Sequence, residues 1–173
     1  KTARFLKEKT KQNITKLRYN SLILAYLGFK GKSPEDKFAV YFPEPNTLFH
    51  RVSFNNYISP HLSPKGHYSV TAEITFHKGD AISKIKDRDI IRHVVGALHN
   101  EGMIDKKKLV LSEVVRIVYE YPVYDFNYPT YTKKVFDELK KIKNFYSCGR
   151  FAEYRYINMN DWIKSAMNVA SRL

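Results

Sequence analysis

The stretch Tyr68-Ser-Val-Thr-Ala-Glu-Ile-Thr-Phe76 alternates apolar and polar side chains along its whole length. Because successive side chains of a strand point to opposite faces, this period of two predicts a half-buried antiparallel strand. Strand character also marks residues 17–29, 37–42 and 49–54, and the prolines Pro43 and Pro45 end the second of these segments. The first half of the chain is therefore predicted to be an antiparallel sheet.

The second half mixes helices and strands. Residues 87–101 place Ile90, Val94 and Leu98 at helical spacing, and Gly102 follows as a stop signal. Residues 109–121 and 145–148 are predicted strands, while residues 1–13, 129–142 and about 158–172 are predicted helices, the first a surface helix or arm. The buried stripe predicted for the last helix consists of Trp162, Ile163, Ala166, Met167 and Ala170. We expect an α+β fold, an antiparallel sheet flanked by helices, with a terminal strand-helix unit.

Composition limits the class of protein. The chain has 173 residues, which is long enough for one compact core. Hydrophobic residues make up 43% of it and charged residues 27%, which is typical of a folded domain. The single cysteine, Cys148, excludes an internal disulfide and suits a reducing, cytoplasmic environment. The longest uncharged apolar run, residues 21–29, is far shorter than the roughly 20 residues that span a bilayer, so we predict no integral membrane segment.

The chain is strongly basic, with 30 Lys and Arg against 17 Asp and Glu and a net charge of +13. The lysines concentrate in residues 1–18, 106–108 and 133–143, which we interpret as solvated helix faces and a turn. A non-enzymatic basic module that binds nucleic acid or a protein partner remains an alternative. A DNA-reading winged helix at residues 87–108 is disfavoured, because strands precede that helix where a partner helix is needed.

Several kinds of site are excluded because the sequence lacks the motifs that form them. The glycines form neither a G-x-G-x-x-G fingerprint nor a phosphate loop, and we find no nucleophile-elbow or metal-ligand spacing. The six dispersed histidines are interpreted as surface or packing residues, and no metal site is predicted.

Residues 145–162 are the most informative stretch. Gly149 lets the backbone approach a ligand closely, and Arg150 offers a fork for phosphate or carboxylate. Asn158 is predicted to cap the last helix, with Asp161 completing a capping box. The free amides that follow would stabilise an anion, including the charge of a reduced flavin. The alternative interpretation is an aromatic-rich turn before an amphipathic helix.

These residues resemble a known motif. Gly149-Arg150, Tyr154-Arg155-Tyr156 and Asn158-Met159 resemble the carboxyl-terminal flavin-contact motif of UDP-galactopyranose mutase and its protoporphyrinogen-oxidase-like, amine-oxidase-type relatives. The segment Tyr121-Pro122-Val123-Tyr124-Asp125 is similar to a Tyr-Pro-Val/Ile-x-Asp segment of that family. Residues 41–45, 49–52 and 73–80 are similar to its substrate-domain strands in order and spacing. The resemblance covers residues 17–173.

The resemblance implies an FAD cofactor and an anionic substrate such as a nucleotide sugar. The flavin itself would carry out the chemistry, so no side chain is predicted to be catalytic. The implied cofactor-binding residues are Gly149, Arg150, Asn158, Met159 and Asn160. The implied substrate-binding residues are Arg51, Tyr121, Tyr154 and Tyr156. Mutases tend to have Asp-Met and a further acid where this chain has Asn158-Met159 and Asn160, which favours the oxidoreductase-like relatives over the isomerase reaction.

The family opens with a Rossmann half that this chain lacks, and the chain begins at Lys1. By resemblance, residues 1–143 are a substrate-binding region and residues 144–173 a strand-helix piece of an FAD-binding domain. We therefore expect a carboxyl-terminal half, a truncated relative or one subunit of a split enzyme. An apolar patch at Phe145, Tyr146 and the last helix would bind a dinucleotide-binding subunit or a second copy of the chain.

Overall fold

A computed structural model of the chain describes residues 6–34, 36–77 and 79–173. The first five residues of the predicted amino-terminal helix or arm, and Lys78 in the turn predicted to close the strand at residues 68–76, lie outside the described residues. The rest of that predicted helix is seen as α1, Glu8–Thr15.

The described residues form five strands in one sheet, which confirms the predicted α+β class. The strands are β1 (Tyr19–Lys30), β2 (Ala39–Tyr41), β3 (Arg51–Phe54), β4 (His67–Phe76) and β5 (Leu109–Pro122). Their order across the sheet is β2-β3-β4-β1-β5. The pairs β2 with β3, β3 with β4 and β1 with β4 are antiparallel. The alternating pattern of residues 68–76 thus marks the strand at the centre of the sheet.

The strand β4 departs from the predicted half-buried pattern. Its apolar residues Val70, Ala72 and Ile74 are buried as expected, but so are Thr71 and Glu73 on the opposite face. Strands pair with β4 on both sides, and polar side chains of the β3 region cover its second face by hydrogen bonding. The prediction of a solvated face was wrong, because alternation reports polarity and not exposure.

The core lies between the sheet and the helix α2 (Asp87–Asn100), as the helical spacing predicted. Ile90, Val94 and Leu98 are fully buried and join one cluster with sheet residues such as Phe54. Gly102 follows the end of the helix, and its φ of +72° is a left-handed conformation that glycine adopts at little cost. After this glycine, the Met103 N–H donates to the Leu98 carbonyl at 2.9 Å, which gives a hydrogen-bond partner to one of the last carbonyls of the helix.

Two further helices belong to the second half of the chain: α3 (Tyr128–Leu139) and α4 (Met159–Ala170). Both fall where helices were predicted. Two details of this region were predicted incorrectly. Residues 145–148 are irregular and not a strand, because a four-residue strand needs a ladder partner and none of the five described strands provides one. The predicted buried stripe of α4 is largely exposed, with Ile163 at 60% and Met167 at 65% exposure.

The chain divides into two compact units. One contains Ser21–Tyr119 and therefore most of the sheet with α2; the other combines the residues up to Asn20 with Glu120–Leu173 and contains α1, α3 and α4. The division between a substrate-binding region and a terminal piece at residue 143 stays a prediction. Among the described residues, no helix has the length and apolar character that a membrane crossing requires.

Candidate functional site

The predicted residue Arg150 lies at the centre of an aromatic cluster in the second unit. Its guanidinium carbon is 4.4 Å from the ring centre of Tyr121 and 5.0 Å from that of Tyr156. Phe151 and Trp162 complete the cluster at 5.9 and 6.0 Å. Such contacts stabilise a cation through the negative faces of the rings. The structure thus brings together three residues that the sequence had singled out, namely Arg150, Tyr121 and Tyr156.

An ion pair holds Arg150 in this cluster. One of its terminal nitrogens donates to the carboxylate of Glu120 at 3.1 Å and to the Glu120 carbonyl at 3.2 Å. The two side chains are only 11% and 17% exposed. The Nε of Arg150 is buried and has no hydrogen-bond partner among the described residues. Sequence analysis missed Glu120, because nothing in a strand residue's local pattern indicates a partner 30 positions further along the chain.

The predicted ligand-binding backbone of Gly149 is engaged within the chain. Its N–H donates to the Glu153 carboxylate at 3.1 Å and approaches the Ser165 hydroxyl at 3.3 Å. Ser165 also hydrogen-bonds Glu153, and Arg155 donates to the other carboxylate oxygen at 3.1 Å. Burial works to raise the pKa of Glu153, but these hydrogen bonds outweigh it and hold the pKa below its usual value. Glu153 therefore occupies the position that an anionic ligand would need at this amide.

Tyrosines tie the turn before α4 to the rest of the unit. Tyr154 has a φ of +51° and donates through its hydroxyl to the Arg18 carbonyl at 2.5 Å. Tyr128 donates to the Tyr154 carbonyl at 2.5 Å, and the Tyr156 N–H donates to the Tyr124 hydroxyl at 2.6 Å. Burial raises the pKa of both Tyr128 and Tyr154 to about 12. Tyr154 is thus a structural donor here, while Tyr156 lies on the exposed side of the cluster.

The amino-terminal end of α4 is open to solvent. Asn158 occupies the cap position in an extended conformation, but its side chain makes no capping hydrogen bond within the described chain. The predicted capping box with Asp161 is therefore not formed: Asp161 instead accepts a hydrogen bond from the Asn160 side chain at 3.3 Å. Met159 is 71% exposed, and Asn158 and Asn160 are exposed as well. Without a side-chain cap, the first amides of the helix stay available to an anion.

The predicted substrate residue Arg51 belongs to the first unit. Its Nε and one terminal nitrogen converge on a single oxygen of the buried Glu73, at 2.9 and 2.5 Å. The other terminal nitrogen reaches the Tyr41 hydroxyl at a longer 3.4 Å. Burial works to lower the pKa of Arg51, but hydrogen bonds to Glu73 and Tyr41 outweigh it and raise the pKa. The Arg51 side chain is 26% exposed, so its guanidinium is partly accessible to an anion.

Comparison with known proteins relates the fold to two solved structures. No family model and no curated protein matches the sequence. A crystal structure of reduced UDP-galactopyranose mutase matches with a TM-score of 0.72 and 24% identity, over 84% of this chain and 31% of that one. A crystal structure of a putative protoporphyrinogen oxidase from Exiguobacterium sp. 255-15 matches with a TM-score of 0.71 and 15% identity, over 93% and 36%.

The chain spans about a third of the length of either solved protein. At these identities the similarity concerns the fold. The fold prediction drawn from the motifs is therefore confirmed, while activity and ligands need arguments of their own. The chain has the fold of one part of UDP-galactopyranose mutase and of the putative protoporphyrinogen oxidase.

Proposed function

We propose that the chain is the substrate-binding part of a flavin-dependent oxidoreductase or nucleotide-sugar mutase-like protein, completed by a dinucleotide-binding half. The observation that supports this most is the position of Arg150. A nearly buried guanidinium, ringed by Tyr121, Tyr156, Phe151 and Trp162, belongs to the same short segment as the uncapped start of α4. The open helix start favours negative charge, and Arg150, although paired with Glu120, keeps further N–H donors; both fall within the motif that resembles a flavin-contact segment.

The residues present fit an FAD edge in part. The open amides after Asn158 and the guanidinium of Arg150 are donors suited to the electron-rich pyrimidine side of a flavin. Among the described residues, the buried Nε of Arg150 has no hydrogen-bond partner, so this donor is unused within the chain. Gly149 fits less well, because Glu153 already accepts from its amide. A bound flavin would supply the redox-active ring, and Arg150, Asn158, Met159 and Asn160 would hold its edge.

The substrate side of the proposal rests on Arg51. Glu73 fixes two of its nitrogens, which orients the guanidinium and reduces the entropy lost when an anion binds. An arginine fork recognises phosphate oxygens bidentately, and tyrosine hydroxyls add further donors. Of the predicted tyrosines, Tyr156 is 56% exposed and Tyr154 donates within the chain. Of these two tyrosines, we therefore expect Tyr156 to contribute more to ligand binding than Tyr154.

The completing half would dock on the exposed apolar face of α4. Met159, Ile163 and Met167 recur at helical spacing and are 60 to 71% exposed, and the predicted patch residues Phe145 and Tyr146 are 37% and 52% exposed. Large exposed apolar patches generally mark an interface. Either solved protein is about three times as long as this chain. In a protein of that length, residues outside this part would be available to cover such a face. A second copy of the chain is the competing occupant.

An FAD titration tests the cofactor part of the proposal. Flavin fluorescence and visible absorption are followed with the purified chain, with the double variant Glu120→Leu/Arg150→Met, and with the control Arg172→Ala. The double variant removes the guanidinium without leaving an unpaired buried charge, so we expect it to fold, which circular dichroism verifies. We expect saturable binding that weakens at least about tenfold in the double variant, since a charged hydrogen bond contributes about 1.5–3 kcal/mol. Equal binding by all three proteins would exclude Arg150 as a flavin ligand.

A UDP titration tests the substrate part separately. Isothermal titration calorimetry compares the chain with Arg51→Lys, which keeps the charge but loses the bidentate fork, and with Arg92→Lys on the exposed face of α2 as a matched control. We expect weaker binding in Arg51→Lys and unchanged binding in Arg92→Lys. Binding that is insensitive to Arg51→Lys would contradict its assignment to the substrate.

A further inference from the structure

One end of the sheet carries a cluster of exposed lysines. The last residue of β1, Lys30, pairs with His67 at the start of β4. The Gly31 N–H donates to the Gly66 carbonyl at 2.7 Å, and a Cβ placed on Gly31 would lie 4.0 Å from Cδ of Lys108. The connection after β1, the connection before β4 and the connection before β5 therefore lie at the same end of the sheet. The cluster, which we call the lysine end, consists of Lys30, Lys32, Lys65, Lys106, Lys107 and Lys108, all exposed.

The counter-charges at the lysine end are few. Asp105 lies within the cluster, where it accepts from the Lys107 N–H at 3.0 Å and lies 3.9 Å from Lys108 Nζ. Asp36 is the described acid in the connection between β1 and β2, and Glu35 beside it lies outside the described residues. Positive charge predominates even if all three acids are counted against the six lysines. The cluster contains no arginine, so it presents compact, strongly hydrated charges and not planar forks.

Exposed apolar side chains emerge at the same end of the sheet. Because Phe54 of β3 pairs with Val70 of β4, the connection at residues 55–66 leaves β3 and enters β4 at the lysine end. Three apolar side chains in this connection face solvent: Tyr57 at 60%, Ile58 at 64% and Leu62 at 54% exposure. With neighbouring strands about 4.8 Å apart, the ends of β3, β4, β1 and β5, which carry this connection and the lysines, span about 14 Å.

The connection is fixed to the sheet by its own hydrogen bonds. The Asn56 side-chain carbonyl accepts from the Ser69 N–H at 3.0 Å and from the Ser63 hydroxyl at 2.9 Å. The Asn55 side-chain amide donates to the Thr71 hydroxyl at 3.0 Å. The backbone on both sides of Tyr57, Ile58 and Leu62 is thus held by β4. The fold holds these apolar side chains in solvent. A binding partner that covered them would gain the free energy of removing their apolar surface from water.

We propose that the lysine end, together with Tyr57, Ile58 and Leu62, is a peripheral binding surface for an anionic lipid bilayer. Lysines are attracted to the negative surface potential of acidic lipids, each contributing about 1 kcal/mol. A tyrosine and two aliphatic side chains beside them enter the boundary between headgroups and acyl chains. Nucleic acid would bind the charge but would not require the exposed Ile58 and Leu62, and proteins that read it rely on arginine forks, which the six lysines of the lysine end do not supply.

Vesicle co-sedimentation of the whole chain tests the proposal. The vesicles consist of phosphatidylcholine with or without phosphatidylglycerol. One variant carries Lys106→Gln, Lys107→Gln and Lys108→Gln; its matched control carries Lys140→Gln, Lys141→Gln and Lys143→Gln, which removes the same charge from another lysine-rich turn. A second variant carries Ile58→Ser and Leu62→Ser. Circular dichroism verifies that every variant is folded.

We expect binding only to vesicles with phosphatidylglycerol. Since each surface charge is worth about fivefold, removing the three lysines of the lysine end weakens binding by about a hundredfold. The Ile58→Ser/Leu62→Ser variant weakens binding by about tenfold at any salt concentration, because its effect is apolar. Equal losses in the two lysine variants, or no effect of Ile58→Ser/Leu62→Ser, would overturn the proposal. Tighter binding to a DNA duplex than to the anionic vesicles, with Ile58→Ser/Leu62→Ser unaffected, would reassign the surface to nucleic acid.

Discussion

Removing the carboxylate of Glu120 leaves the buried charge of Arg150 without its ion-pair partner. In Glu120→Ala the guanidinium loses its ion pair and keeps only the bond to the backbone carbonyl of residue 120. Removing one partner of a buried ion pair costs about 3–5 kcal/mol. Because the two side chains retain 11% and 17% exposure, and four aromatic rings still stabilise the cation, we expect the lower end of that range, about 3 kcal/mol.

Urea unfolding followed by far-ultraviolet circular dichroism measures this loss. With a slope of about 2 kcal/mol per molar urea, the midpoint of Glu120→Ala falls by about 1.5 M. Glu113→Ala is the matched control, an exposed glutamate on the same strand, and should change the free energy of unfolding by less than about 0.5 kcal/mol. Glu120→Leu/Arg150→Met should lie close to the wild type, because a buried pair replaced by apolar groups costs little.

A midpoint for Glu120→Ala that equals that of Glu113→Ala would refute this reasoning. It would mean that Arg150 finds another anion or reaches solvent, so that the ion pair does not hold the cluster together. A large loss in the double variant would instead show that packing of the side-chain stems, and not the charge, carries the effect.

Three further predictions concern packing, titration and association. Phe54→Ala removes a fully buried ring from the sheet core and should lower the free energy of unfolding by about 3–5 kcal/mol in the same urea assay; a loss below about 1 kcal/mol would contradict the packing. Tyr128 and Tyr154 should ionise near pH 12 in the native state, read as phenolate absorbance. Because these pKa values are raised above the ordinary tyrosine value of 10.0, their contribution to stability is complete below about pH 10 and is lost as the pH rises towards 12; midpoints near 10 in the folded chain would be inconsistent with burial. Ile163→Ser/Met167→Ser should abolish any concentration-dependent self-association seen by light scattering, and association that persists would place the interface elsewhere.

Local patterns predicted the elements well because helix and strand periods are properties of neighbouring residues. Ile90, Val94 and Leu98 are buried on α2 as their spacing indicated, and β1 and β5 lie where apolar, β-branched segments occur. The same logic failed at residues 145–148. Their composition favours a strand, but a strand exists only where another strand accepts its backbone hydrogen bonds.

The candidate site was predictable in part. The motif singled out Arg150, Tyr121 and Tyr156, and the structure brings those three together. The sequence motif did not indicate that Glu120 would form an ion pair with Arg150, or that Glu153 would accept a hydrogen bond from the amide of Gly149. Such partners depend on how the turn at residues 149–155 packs, which pairwise sequence spacing does not report.

By itself, the sequence determined the α+β class, the positions of the long strands and helices, and the prediction of Arg150 as a site residue. Only the tertiary structure decided that Glu73 is buried on β4, that the apolar stripe of α4 faces solvent, and that six lysines separated along the chain meet at one end of the sheet. The physical reason is that periodicity fixes which side chains share a face. What covers that face is set by strand order and by contacts between residues far apart in the chain.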